Sequence, residues 1–317
     1  MIRQPAEPTP VIVSATRRAD IPAHYAAWFM NRIRAEWCAV PNPFNTRQVS
    51  RVSLASWDVA AIVFWTRDPR PLMPHLRELE SLGHRFVFQF TLLEYPPSLH
   101  PGMPPLAERL DAFKRLAASI GPDRVLWRYD PIVLTRETNT GFHRRNFEVL
   151  CRELAGHTRR VTVSLMEPYR KARSRLDRAG AVLMAPTEEE LSAMFSDMAA
   201  LAQECTIEPV SCADEAGLDS LGFTPGACMD AALLERLFGL KVANTKDLSQ
   251  RPACRCAKSR DIGMYDACPA GCAYCYATRD FSRSRRAMAG HDPDSPSLIG
   301  RFEPKGRCDL PTTHNQA

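Results

Sequence analysis

The sequence predicts an α/β fold, a partial (β/α) barrel of about six parallel strands with a C-terminal Cys-rich segment. Three observations predict it. Short apolar runs alternate with longer amphipathic stretches, the order that builds right-handed βαβ units and a mainly parallel sheet. The apolar runs are continuous, which favours a barrel or partial barrel over a sandwich. After residue 240 the character changes, and residues 251–280 are rich in Cys, Gly, Asp and Arg.

Residues 11–18 read as a buried strand that turns polar at its end. Residues 21–37 read as one helix, with Asp20 as N-cap and Pro22 in the first turn. A short strand over 48–54 follows the turn at PNPFN. Residues 59–66 form the second buried strand and 69–82 a helix. The third strand covers 86–93 and the next helix 105–120. The fourth strand covers 125–134 and is broken near its end by Pro131. A helix over 142–155 leads to the fifth strand, 161–166. Two helical stretches, 169–178 and 187–202, precede the sixth strand, 206–212. The domain plan is a flexible stretch 1–10, a barrel-like body 11–245, a Cys-rich part of the same domain 246–280, and a polar, loosely ordered tail 281–317.

The 317-residue chain is 45% hydrophobic and 24% charged, which excludes a wholly disordered chain, a coiled coil and a collagen-like repeat. No apolar run reaches the roughly 18 residues of a membrane helix. The run ending at Trp65 stops at Thr66, Arg67 and Asp68. The first ten residues lack an apolar signal core, so a cytoplasmic location is expected. In a reduced compartment, eleven cysteines point to metal binding or redox chemistry rather than disulfides. The net charge of +5 permits a nucleic-acid or phosphate partner without requiring one.

In parallel α/β folds, ligands bind at the C-terminal ends of strands. Ser14, Arg17, Arg128, Asp130 and Ser164 stand there. Arg128 and Asp130 share one strand face and can pair with each other, because side chains alternate with period two.

Residues 268–275 read C-P-A-G-C-A-Y-C. Three thiols spaced x3 and x2, in a loop with Pro269 and Gly271, can wrap one soft metal centre. Three ligands on a four-iron cluster leave one iron open to a small molecule. The alternative is a structural zinc knuckle completed by Cys254 or Cys256. A second group, Cys212, Cys228, Cys254 and Cys256, suits an auxiliary iron–sulfur cluster or zinc; Cys212 and Cys228 can equally be buried apolar residues. Cys38, Cys151 and Cys205 read as core, and Cys308 as a bystander. His24, His75, His84, His100, His143 and His157 show no metal-ligand spacing.

Cys-x3-Cys-x-aromatic-Cys resembles the signature of the radical S-adenosylmethionine (SAM) superfamily, with Cys268, Cys272 and Cys275 as cluster ligands and Tyr274 as its aromatic residue. The C-A-Y-C-Y run is most similar to the spore photoproduct lyase branch. From SATRRADIP through FWTRDP and WRYDPIVL to DIGMYDACPAGCAYCYA, the chain resembles the bacterial family called domain of unknown function 1848. The resemblance implies a four-iron, four-sulfide cluster that binds SAM at its open iron. It also implies reductive SAM cleavage, a 5′-deoxyadenosyl radical, and a reductant such as flavodoxin or ferredoxin. Arg17 or Arg128 would pair with the SAM carboxylate. Asp20 or Asp130 would accept from its amino group or ribose, and the backbone near Tyr274 would contact adenine. The superfamily's loop normally follows the first barrel strand, whereas here it follows the last, which implies a circular permutation. The chain has no Gly-Gly pair for the superfamily's Gly-Gly-Glu element, and the segment from Ser14 to Asp20 stands in its place.

The expected function is a radical SAM-type enzyme acting on nucleic acid, a peptide or a small molecule. The alternative is a non-catalytic zinc or iron–sulfur protein that binds nucleic acid or carries electrons. No membrane partner is expected.

Overall fold

The computed structural model describes residues 10–213 and 217–304. β1 (Val11–Ala15) leads through α1 (Ile21–His24) and α2 (Ala26–Arg34) to a hairpin of β2 (Trp37–Asn42) and β3 (Asn45–Ser53). β4 (Val59–Thr66), α3 (Leu76–Ser81), β5 (Phe86–Thr91), α4 (Leu106–Ile120), β6 (Val125–Ile132), α5 (Thr140–Leu154) and β7 (Arg160–Leu165) follow in strict alternation. α6 (Arg170–Arg178) and α7 (Glu188–Glu204) precede β8 (Glu208–Cys212) and β9 (Thr224–Gly226). The chain closes with α8 (Ala231–Phe238), β10 (Ser259–Asp261) and α9 (Phe281–Ala289).

Eight strands form one parallel sheet in the order β10-β1-β4-β5-β6-β7-β8-β9. The sheet is open, with β10 and β9 at its edges. The six expected strands correspond to β1 and β4–β8, and two three-residue edge strands are added. The helix expected over 21–37 is instead two helices ending at Arg34, and Glu36, at φ 61°, turns the chain into β2. β2 pairs antiparallel with β3 outside the main sheet.

Period-two alternation divides the sheet's side chains between two apolar clusters. Val13, Phe64, Phe88, Trp127 and Val161 join helix residues such as Phe29, Phe113, Phe147 and Met198 in the main core. Ile12, Ala61, Val63 and Val87 join a smaller cluster with Met229, Leu234, Val242 and four cysteines. α8 and residues 239–258 therefore cover part of the face opposite the main core.

Local signals explain the helix starts. Asp20 accepts from Ala23 N at 3.0 Å, Asn139 caps α5, and Thr187 with Glu190 forms a capping box on α7. Residues 281–304, expected as loosely ordered, contain α9 and pack onto α2 and β2. Trp28 Nε1 donates to Ser295 O at 2.9 Å, and Ala39 bridges to Ser297. Residues 1–9 and 305–317, including Cys308, lie outside the described residues. Among the described residues no helix is long and apolar enough to cross a membrane.

Candidate functional site

The loop after β10 carries Cys268, Cys272 and Cys275. Its backbone is tied down on several sides. Ala273 N donates to Leu99 O at 2.9 Å, Cys275 N to Cys272 O at 3.0 Å, and Asp266 N to Ala277 O at 3.1 Å. The Tyr25 hydroxyl donates to Ala267 O at 2.5 Å. Arg175 donates to Ala273 O at 3.1 Å and Thr278 O at 2.8 Å. Gly271 sits at φ +85°, a left-handed conformation that a side chain would strain. Cys272 is buried, while Cys268 and Cys275 are half-buried. Burial pushes the Cys268 and Cys272 thiols up, and Arg67 opposes that shift at Cys272. A metal must therefore displace bound thiol protons.

Arg67, one residue past β4, points its guanidinium at this loop. It lies 5.6 Å from the centre of the Tyr274 ring. Burial alone would lower its pKa, but Tyr274, Cys272, Asp20 and Cys268 outweigh burial and push it up. No carboxylate lies within ion-pair distance of Arg67 among the described residues. Sequence reasoning passed over it, although FWTRDP places an arginine at the end of a buried strand. Tyr274 is itself buried, edge-on to Tyr95 at 5.6 Å and His100 at 6.1 Å.

The end of β1 is fastened to β10 through Asp261, also unremarked in the sequence. Asp261 accepts from Ser14 Oγ at 2.9 Å, Arg17 N at 3.2 Å and Gly263 N at 2.9 Å, and from the Thr16 hydroxyl. Ser14 is thus engaged in joining two strands. Asp20 is engaged too, capping α1 and accepting from Arg67 N at 2.7 Å. Burial raises the Asp20 pKa, against the pull of His24 and these N–H donors. The Arg17 carbonyl accepts from the Tyr276 hydroxyl at 2.7 Å, which links β1 to the thiol loop.

Arg128 and Asp130 pair at 2.5 Å, as their shared strand face allows, and the Ser164 hydroxyl donates to Asp130. Arg128 Nη1 also lies 2.7 Å from Cys228 Sγ, so this pair adjoins the second cysteine group. In that group Cys212 and Cys228 have sulfurs 3.1 Å apart. Cys38 and Cys151 are buried, as core residues should be, and Cys205 is half-buried against the core.

A cleft of about 480 Å³ opens between the β2–β3 hairpin and the β1–β10 edge, lined in part by Arg17, Arg18, Tyr265 and Tyr276. Arg18 stacks 4.8 Å over the Tyr265 ring. The cleft offers cationic and aromatic groups beside the loop that carries the three thiols. Among the described residues, no three His, Cys, Asp or Glu side chains are already gathered as a metal-ligand set. Any metal here must draw the thiols inward. The donor set itself, three thiols on one irregular loop, suits a soft iron–sulfur centre.

No curated protein and no solved structure matches the chain. The family model described as domain of unknown function, DUF1848, matches residues 12–277, which takes in the sheet and all three thiols of the loop. By that match the chain belongs to the DUF1848 family.

Proposed function

We propose that this protein is a radical SAM-type enzyme with Cys268, Cys272 and Cys275 as ligands of a four-iron, four-sulfide cluster. The observation that carries the reading is the Cys-x3-Cys-x2-Cys loop lying next to a guanidinium, Arg67, that has no carboxylate partner among the described residues. When bound, a reduced cluster with SAM at its open iron supplies reductive SAM cleavage and a radical able to abstract hydrogen.

The chain's own residues have separate tasks. Arg67 offers a planar fork of donors to the SAM carboxylate. Asp20 fixes the Arg67 backbone by accepting from its amide. Tyr274 packs beneath the loop and keeps water from its inner side. Arg175 clamps two loop carbonyls. Asp261 holds β10, and so the start of the loop, against β1. The permuted, partial-barrel arrangement is supported by strand order: β10, which leads into the thiol loop, is the parallel neighbour of β1. In that arrangement β10 takes the place of the usual first strand. The substrate would enter by the cleft beside Arg17 and Tyr276, with a flavodoxin or ferredoxin supplying the electron.

The test is anaerobic. The protein is reconstituted with iron and sulfide, reduced, and given SAM, and 5′-deoxyadenosine is measured. Product is expected from the native chain and none from Cys272→Ala, which should keep its fold by circular dichroism. Cleavage retained in Cys272→Ala would sink the assignment. Stoichiometric zinc with no iron at the loop would favour the non-catalytic metal-binding alternative.

A further inference from the structure

We propose that Cys212, Cys228, Cys254 and Cys256 hold a second metal centre, a closed tetrathiolate site separate from the Cys268–Cys275 loop. The four residues come from three stretches of chain. Cys212 ends β8, Cys228 lies two residues before the α8 cap Asp230, and Cys254 and Cys256 belong to residues 239–258, which contain neither helix nor strand. The thiols nonetheless form one connected group. Cys212 Sγ and Cys228 Sγ are 3.1 Å apart, and Cys256 hydrogen-bonds both Cys228 and Cys254. None is in a disulfide.

The surroundings favour a negative centre over four neutral thiols. Arg128 Nη1 lies 2.7 Å from Cys228 Sγ. Arg17 Nη2 is buried without a hydrogen-bond partner, and Cys256 and Cys228 are its foremost opposite charges once ionised. Both guanidinium groups flank Trp65, at 5.7 Å and 4.6 Å from its ring. Met229 N lies 3.5 Å from Cys256 Sγ. Buried cations are costly unless matched. Asp130 matches Arg128, but the nearest carboxylate oxygen to Arg17 is Asp247 Oδ2, at 4.0 Å. Four thiolates around a divalent metal, or around a four-iron cluster, leave excess negative charge that the two arginines balance. Binding releases four thiol protons to solvent.

Four Cys ligands fill every position of a tetrahedral soft metal, or all four corners of a four-iron cluster. This site therefore has no vacancy for SAM. Its role is to cross-link residues 239–258 to β8 and to the start of α8. That stretch leads directly into β10, so the centre steadies the strand that carries Asp261.

The test uses the full chain with Cys268→Ser, Cys272→Ser and Cys275→Ser combined, so that any bound metal belongs elsewhere. After anaerobic purification, metal and sulfide are counted and the absorption spectrum is recorded. Either about one zinc in a colourless protein or about four irons with sulfide in a brown one is expected. The two results identify the metal, and adding Cys254→Ser should remove it. A folded, metal-free triple variant would overturn the proposal. The native protein gives a second reading that does not depend on any variant folding. Alkylation mapped by mass spectrometry should spare these four cysteines until a strong chelator is added. Fast, chelator-independent labelling of Cys254 and Cys256 would also overturn the proposal. Because the triple variant has lost the SAM loop, its result is independent of whether the chain cleaves SAM.

Discussion

At the residue scale, Arg67 is a cation placed for an anion that the chain does not supply. Replacing it with Gln removes a charge-assisted pair with the SAM carboxylate, about 1.5–3 kcal/mol. The expected result is a roughly 10- to 150-fold weaker SAM affinity with an unchanged iron count. Arg67→Lys keeps the charge but loses the fork, so it should recover only part of the affinity. Unaltered SAM binding in Arg67→Gln, measured by equilibrium titration, would remove the assigned role. The three loop cysteines were legible because ligand spacing is local. The duties of Ser14 and Asp20 were not. Both carry the right polar atoms for a ligand, but their partners, Asp261 and the Arg67 amide, lie far away in sequence. Arg67 was illegible for a related reason. An arginine at a strand end gains meaning only when folding puts it beside Tyr274 and leaves it without a carboxylate.

At the scale of elements, the long strands were read correctly because a buried parallel strand is an uninterrupted apolar run. β9 and β10 have three residues each, too few for any periodic signal, and their neighbours define them. The segment 21–37 looked like one helix because its apolar pattern continues through Trp37. A positive φ at Glu36 instead diverts the last residue into the hairpin. β10 depends on close backbone approach. A Cβ on Gly263 would fall 2.2 Å from Thr16 Oγ1, where no side-chain atom fits. Gly263→Ala should cost about 1–3 kcal/mol through overpacking and lower the iron retained after reconstitution. A urea midpoint and iron content equal to those of the native chain would contradict this account of the β10 edge.

For the whole molecule, buried histidines set how stability responds to acid. His143 is fully buried, with Nδ1 2.9 Å from the Tyr129 hydroxyl and Nε2 3.2 Å from Val133 O. Burial lowers its pKa to about 4, and the Val133 carbonyl offsets only part of that. The folded value lies below the unfolded one, about 6.5. Above pH 6.5 neither state holds the extra proton, and this residue adds no pH dependence. As pH falls from 6.5 towards 4, the unfolded chain takes up a proton that the folded chain refuses. Stability should then drop by about 1.4 kcal/mol per pH unit. His143→Gln should reduce the slope of the urea midpoint against pH by about one proton over that range, and an unchanged slope would refute the assignment. The parallel sheet was legible from the order of its elements, whereas the second apolar cluster was not, because it joins strand residues to α8 and residues 239–258. The pairing of β1 with β10 also governs timing. Ser14 and Asp261 are 247 residues apart, so the first strand made waits for nearly the whole chain before its outer edge is covered. During synthesis that edge is an open template for wrong pairing. Iron loading at Cys268, Cys272 and Cys275 belongs to the finished polypeptide, and a ribosome that stalls before β10 releases a chain with neither a protected edge nor a place for the cluster.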